Sequence, residues 1–538
     1  MHRARDGRRR YRHLIIAALL LLGGCASIQP PPPQPEAIAT PHPLATQAAL
    51  RALEQGGNAY DAAIAASAVL SVVAPYHAGL GGGAFWLIQD DQGKSVVIDA
   101  REAAPGTLKS PVTTSAAAAA IPGLPAALTY VGRYYAERPL EADLADAIRL
   151  ARSGFIVDAR YQRMAAASLT RLSTNPAAAR VFLKNGQVPP QGTLIRQPAL
   201  ARTLQALARG GDDNFYRGGI GHALLQDANR AGAQWTPEAL SRYRISEQLP
   251  LRFHYHGTTF LTVPSPSTGG IQLARMFGIL RFSPIPRSDN IGRIHHLAEV
   301  MRRAELPAIP AMNDSTLKNA FPQLLTTERL RASAGTIDPL QATPSTHLAQ
   351  LLPNDASEQV SIIDKRGNRV SVSLTLGRPF GSGLLSPQTG ILLNDALNDA
   401  HPSAAMPLPA GSRPLSSMTP LIADLPNGAL VAGAAAGRNS PAILFTVITD
   451  FLDGHSAQAA IKAPRYVQRS SPDRLDYERR AFDREQLFQL QALGHRPQVA
   501  AGPLGNVQWV DTLIAPQPAV DAQSDERGIG QAIVHQPQ

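Results

Sequence analysis

Cysteine is almost missing from this chain of 538 residues: Cys25 stands alone. That excludes an intramolecular disulfide and any metal site built on two thiolates. Aromatic residues make up only 5% and charged residues 17%, against 44% hydrophobic. The core must therefore be built largely from alanine and aliphatic side chains, and the length suffices for one large domain or two intimate ones. Long hydrophobic runs are scarce too. Leu14–Leu22 (LIIAALLLL) is too short to span a bilayer comfortably as a mature helix. The net charge is +10, yet part of it sits in Arg3, Arg5, Arg8, Arg9, Arg10 and Arg12, faced only by Asp6. No basic run is interleaved with aromatics, so nucleic-acid binding is not expected. The glycines 81–83 lack the Lys-Ser/Thr that a phosphate cradle needs. No His/Asp/Glu spacing demands a metal, and none is expected.

What is present begins with targeting. A basic stretch, the apolar run and Leu22-Gly23-Gly24-Cys25 together resemble a bacterial signal peptide ending in a lipobox. The other reading is a plain secretory signal with a chance cysteine. On the lipobox reading the Cys25 thiol carries a lipid. Ala26, where Asp would retain the protein at the inner membrane, points to the periplasmic face of the outer membrane. Residues 1–25 are then the signal, and residues 26–43, rich in proline, a stiff tether.

The remainder mixes helix and strand patterns. Alanine-rich 59–73 reads as a helix packed on all sides. Residues 44–55, 140–153, 197–209 and 443–452 read as further helices, while 84–89, 94–99, 249–263 and 421–424 read as strands. Two short strands are expected to finish the chain. From Glu305 to Pro353 the periodicity dissolves, which predicts a surface excursion or linker. The fold class is α+β, with sheets buried between helices.

One stretch concentrates the chemistry. Val360–Ile363 is a short apolar strand, and Asp364–Asn368 (DKRGN) a turn. Val370–Leu376 (VSVSLTL) then alternates apolar and hydroxyl residues. This is a hairpin with Ser357 just ahead of it and a row of Ser371, Ser373 and Thr375 on the second strand. By itself such a row reads as the solvent face of a sheet.

The segments GGNAYDAAIAASAVLSVVAPYHAGLGGGAFWLI, DAREAAP, NFYRGG, PSPSTGGIQLARM, GILLNDALND and RPLSSMTP resemble the γ-glutamyltransferase (γ-glutamyltranspeptidase, glutathione hydrolase) family, over roughly residues 44 to 515. The resemblance implies an N-terminal-nucleophile hydrolase fold, a four-layer αββα sandwich. It implies one self-cleavage, here before Ser357, giving a large part (44–356) and a small part (357–538) that stay together as a heterodimer. The freed Ser357 hydroxyl would then take a γ-glutamyl group as an ester, which water or an acceptor amine removes. The freed α-amine would act as general base. No cofactor is implied.

Matched residue by residue, the nucleophile falls at Ser357, with Glu358 and Gln359 where the family has Thr and His. A rival register would use Ser345-Thr346-His347. Thr375 matches a threonine that hydrogen-bonds the nucleophile. Arg101 matches the grip on the substrate α-carboxylate, a role suited to a guanidinium fork. Asp399 matches the acid for the α-ammonium. Ser416 and Ser417 match a pair at the carboxylate, and Ala436 and Gly437 the oxyanion loop. Without the family, Arg101 would be a surface pair, Asp399 a turn cap, Ser416-Ser417 a helix cap and His77 a structural histidine. Three matches depart from the family: Ala436 replaces a glycine, Gly377 an asparagine and Ala396 a glutamine. These departures leave three readings open: a γ-glutamyl hydrolase/transferase, a fold-retaining binding lipoprotein without activity, and an acylase for another amide.

Overall fold

The computed structural model describes residues 34–286, 290–306, 314–344, 356–398, 407–513 and 519–537. From Pro35 onward the chain forms one compact unit. Two sheets carry it. Their strands are β1 (Glu36–Thr40), β2 (Gly83–Gln89), β3 (Ser95–Ala100), β4 (Ser246–Gln248), β5 (Leu251–Tyr255), β6 (Thr258–Thr262), β7 (Ala356–Ile363), β8 (Arg369–Gly377), β9 (Leu421–Leu425), β10 (Gly428–Ala434), β11 (Val507–Leu513), β12 (Ala519–Ser524) and β13 (Gln531–His535). The first sheet runs β13-β1-β7-β8-β2-β3-β4 and the second β12-β11-β10-β9-β6-β5. Neighbouring strands in both are antiparallel.

Helices cover the outer face of each sheet, which makes the expected four layers. On the first sheet lies Ala59–Val73, all fifteen of its residues buried. Its small side chains let neighbouring backbones approach on every side. Its start is fixed by a capping box: Asn58 Oδ1 accepts from Tyr60 and Asp61 N–H, and Asp61 accepts from Asn58 N–H. Such a cap contributes about 0.5–2 kcal/mol. The second sheet carries the helices Thr268–Phe282 and Ser440–Leu452.

The hairpin is tied to this frame by Asp364. Its carboxylate accepts from Arg366 and Asn368 N–H within the turn and from Ala59 N–H at the start of the alanine-rich helix. One side chain thus sets both the turn and the hairpin's place against the helix layer.

Several expectations change. The supposed tether, 26–43, contains β1, a fully buried strand paired with β7 and β13. The segment EAIAT is too short to show its periodicity; its burial comes from pairing with β7. Within 305–353 stand the helices Asp314–Gln323 and Thr327–Ala334, with Leu317 and Phe321 buried. After the helix Arg484–Ala492 come four strands, Pro497–Val499 and β11 to β13, not two. The helix expected over 197–209 does break at the glycine pair, where Gly211 has φ +57° and ψ −155°, and a second helical segment then runs on to Tyr216. Cys25 and the rival 345–347 lie outside the described residues. Among the described residues no helix is long and apolar enough to cross a membrane.

Candidate active site

Ser357 is the second residue of β7, 3% exposed, and sits opposite Thr375 of β8. Directly beyond that pair the ladder slips, between Thr375 and Gly377. Gly377 has φ +87°, and a Cβ there would stand 2.1 Å from Asp395 Oδ1. Only glycine fits that turn. Its N–H donates to Thr375 Oγ1 at 2.8 Å, orienting the hydroxyl beside Ser357. The replacement of asparagine by Gly377 is thus part of the local backbone path.

Strand alternation sends Glu358 to the opposite face, toward the helices. There it is fully buried. Arg160 Nη2 donates to Glu358 Oε1 at 2.8 Å, and His77 Nδ1 lies 3.0 Å from the same oxygen. Arg160 comes from the helix Ala159–Ala167, and its guanidinium carbon stands 5.4 Å from the Tyr76 ring centre. Burial pushes Glu358 toward neutrality, but Arg160 and His77 outweigh it and hold the carboxyl below its ordinary range. Burial likewise pulls His77 below the usual imidazole range, against the Glu358 carboxylate. Glu358 Oε2 and Arg160 Nη1 have no hydrogen-bond partner. His77, read as a structural or surface histidine, stands directly behind the candidate nucleophile. Arg160 went unread because nothing in its helix's sequence marks it out; the link is purely spatial.

Gln359 returns to the inner face. Its Nε2 donates to Ser371 Oγ at 2.8 Å and its Oε1 accepts from Ser373 Oγ at 2.7 Å. The amide fills the space beside Gly433 of β10, where any Cβ would come within 2.1 Å of it. Ser371 Oγ donates on to Ala432 O in the second sheet. The hydroxyl row is therefore not a solvent face: Ser371, Ser373 and Thr375 are all buried between the two sheets. Each finds a partner there, as buried hydroxyls must.

Arg101 follows β3 and is 2% exposed. Its Nε and Nη2 donate to Asp99 at 3.1 and 2.8 Å, and its Nη1 to Pro414 O at 2.6 Å. Arg413 stands 2.7 Å from the same carboxylate. Burial raises the Asp99 carboxyl, yet the two arginines hold it well below the carboxylate range. Three of the five guanidinium N–H groups are thus used, and two remain for an anion. Arg101 lines a narrow cleft with Thr375, Gly377, Ala396, Leu415 and Ser416. Arg101, Thr375 and Ser416 therefore come together. Ser416 O accepts from Thr268 N–H and from the Ser267 and Thr268 hydroxyls, and its Oγ accepts from Met418 N–H. Ser417 is fully buried beside it, its Oγ unpartnered. Neither serine caps a helix. Asp399 lies outside the described residues.

The chain leaves β10 through Ala436 and Gly437 into the helix Ser440–Leu452. Ala436 has φ −141°, ordinary for any residue, and its N–H donates to Ser440 Oγ at 3.2 Å. Its Cβ is accommodated because Gly505 stands opposite, where a second Cβ would come within 2.7 Å. The alanine does not distort the turn, and Gly437 adopts φ +55°. Gln359 against Gly433 aligns β7 with β10 across the sandwich. Among the described residues no group of three or more His, Cys, Asp or Glu is placed to hold a metal ion. The chemistry available is a buried hydroxyl at the start of a strand, an anion grip, and backbone N–H groups at a turn.

Comparison with known proteins agrees with this geometry. The glutathione hydrolase proenzyme of Escherichia coli K12 is 29% identical over 527 residues, covering 91% of this chain and 90% of its own. The oxamate amidohydrolase proenzyme of Klebsiella pneumoniae is 32% identical over 486 residues, covering 86% and 91%. The crystal structure of cephalosporin acylase from Bacillus halodurans superposes with a TM-score of 0.81 at 25% identity, covering 93% of this chain and 96% of that one. The αββα sandwich is thus the N-terminal-nucleophile hydrolase fold. The model of the gamma-glutamyltranspeptidase family matches residues 45–535, and the chain belongs to that family.

Proposed function

We infer that the protein is a self-cleaving amide hydrolase/transferase with Ser357 as nucleophile, acting on γ-glutamyl amides such as glutathione. The observation that carries this is the Ser357–Thr375 pair at the edge of a cleft holding a buried guanidinium with two donors to spare. That two relatives are proenzymes by name supports processing. Cleavage before Ser357 frees an α-amine beside its own hydroxyl, the base that a buried serine otherwise lacks. Arg101 takes the α-carboxylate, with Ser416 and Ser417 beside it; Asp399 takes the ammonium. The Gly437 N–H receives the oxyanion, joined by the Ala436 N–H when it leaves Ser440 Oγ. Water or an acceptor amine then clears the ester.

An acylase reading draws on a separate observation. Gly377 and Ala396 leave the cleft with fewer polar groups than the γ-glutamyl pocket of the family. An acyl group with one carboxylate and no ammonium would fit it. The resemblance to a cephalosporin acylase over nearly the whole chain is compatible with that. The lipobox makes the protein an envelope lipoprotein anchored through Cys25.

Intact-mass analysis of purified protein tests the first step. Two fragments are expected, the smaller beginning at Ser357, and one uncut chain in Ser357→Ala. An uncut wild type sinks the enzyme reading in favour of a binding lipoprotein, and a cut before Ser345 moves the nucleophile. Hydrolysis of γ-glutamyl-p-nitroanilide against glutaryl-p-nitroanilide then separates γ-glutamyl hydrolase from acylase. Arg101→Ala should lower kcat/KM for the preferred one at least ~10-fold, since a charged hydrogen bond is worth about 1.5–3 kcal/mol.

A further inference from the structure

The candidate site uses the inner face of β7 and leaves the charge on its outer face, Glu358, without a task. Before the expected cut, Ser357 is held from both sides: Ala356 ahead of it pairs with Gly377, and Glu358 behind it pairs with Leu374. After the cut Ser357 becomes the first residue of the strand. The Ala356 rung is lost, and the ladder beyond Thr375 is already irregular. Chain ends are poorly ordered unless something ties them down. Ser357 does not supply that tie itself, because its hydroxyl and its freed α-amine are both needed for the reaction. The next side chain is Glu358.

Glu358 is tied across the cut. Its partners Arg160 and His77 both belong to the part ahead of Ser357, so the ion pair joins the two expected fragments one residue from the nucleophile. The far end of the tie is itself anchored. The helix that carries Arg160 starts on Asp158, whose carboxylate accepts from Tyr161 N–H at 2.7 Å. The guanidinium lies over the ring of Tyr76, which is fully buried. Tyr76 O in turn accepts from Phe380 N–H at 3.0 Å, and the Phe380 ring packs against Tyr76, Tyr161 and Phe182. Phe380 lies just past the end of β8. One base, Tyr76-His77 with Arg160, therefore fixes both strands of the Ser357–Thr375 pair: β7 through Glu358 and β8 through Phe380. Stability does not explain the charges. Glu358 Oε2 and Arg160 Nη1 are buried without partners, and well-packed apolar side chains often serve such places as well as a buried ion pair does. What the ion pair adds is direction. Contacts of 2.8 and 3.0 Å to a single oxygen, Glu358 Oε1, fix where that side chain stands.

We propose that Glu358 is a positioning residue for the cut enzyme: with Arg160 and His77 it holds the new end of β7, so that Ser357 stays opposite Thr375. It touches neither substrate nor reacting atoms. This role rests on the hydrolase/transferase reading, in which Ser357 is the nucleophile. It separates two steps that a merely stabilising role would not separate. Self-cleavage takes place while the chain still holds Ser357 from both sides, so it needs the tie little. Turnover takes place at a chain end and needs it fully.

Self-cleavage and turnover, measured side by side in purified full-length Glu358→Gln, test this. By intact mass the variant should be cut to completion. On whichever of γ-glutamyl- and glutaryl-p-nitroanilide wild type prefers, its kcat should be at least ~10-fold lower, since a misplacement of about 1 Å costs up to about 100-fold. KM should be unchanged, because the Arg101 cleft keeps its residues. Arg160→Lys, which keeps a cation beside Glu358, should regain part of the kcat that Arg160→Met loses. The apolar double variant Arg160→Met/Glu358→Met should regain stability but not kcat. Equal kcat in wild type and Glu358→Gln overturns the proposal. So does a double variant that regains kcat along with stability, which would leave the cluster a packing element only. A folded but uncut Glu358→Gln chain also overturns it and places the residue in the cleavage step instead. If Glu358→Gln fails to fold, the double variant decides. An uncut wild type is a different failure: it removes the hydrolase reading and this role with it.

Discussion

The two faces of β7 solve the same problem, burying polar groups next to the nucleophile, in opposite ways. On the inner face Ser357, Gln359 and Ser361 join Ser371, Ser373 and Thr375 in a neutral layer of hydroxyls and one amide. Ser361 Oγ donates to Gln508 O, and the chain of bonds crosses from one sheet to the other. On the outer face Val360 and Ile362 enter the apolar helix layer, but Glu358 brings a full charge into it, held by Arg160 and His77. The neutral layer is redundant: each bond contributes modestly and neighbours share the load. The charged cluster is not. Each member leaves an uncompensated buried charge if its partner goes. Glu358 also follows the candidate nucleophile directly, so the cluster anchors the end of β7 that the expected cleavage would free.

That contrast can be broken experimentally. The largest effect is expected from Arg160→Met, which strands the Glu358 carboxylate. It should cost about 3–5 kcal/mol, read from urea denaturation of the purified protein. The double variant Arg160→Met/Glu358→Met should recover much of this. If the double variant is no better than the single one, the cost is packing and the ion pair is incidental.

Acid sharpens the comparison next. The folded-state carboxyl of Glu358 is held below its unfolded value. Its stabilisation is therefore present above about pH 4.5 and is lost as pH falls through the folded value. The advantage of wild type over Glu358→Gln in melting temperature should shrink steadily below that pH. A constant difference down to strongly acid pH would show that the charge contributes nothing. The smallest effect is expected on the inner face. Ser371→Ala removes a hydroxyl that bridges Gln359, Leu421 N–H and Ala432 O, and should cost about 1–2 kcal/mol with no dependence on pH between 4 and 8. A cost above that of Arg160→Met would reverse the ranking of the two faces.

Much of the fold was legible in the sequence because its signals are local. The alanine-rich helix ends where its pattern ends, at Ala59 and Val73, since Asn58 and Asp61 cap it from within. The β7–β8 hairpin follows from its turn and its period. The position of Ser357 opposite Thr375 follows from the register those two fix. The strand Glu36–Thr40 was not legible: five residues after a proline run carry no period, and only pairing with β7 and β13 makes them a strand. The helices within 305–353 were missed for the same reason, as Leu317 and Phe321 pack against Ile271 and Leu306 far from any regular pattern.

The sequence by itself determined most of the elements, the hydroxyl row and the residue types of the site, because caps, turns and alternation act over a few residues. Only the tertiary structure decided which way that row faces. The same alternation serves water or a second sheet equally well until the second sheet is placed. It also decided that Asp99 holds Arg101, that Gly505 makes room for Ala436, and that His77 and Arg160 meet at Glu358. These partners lie from two to more than two hundred residues apart, and a buried charge declares its partner only when both are packed.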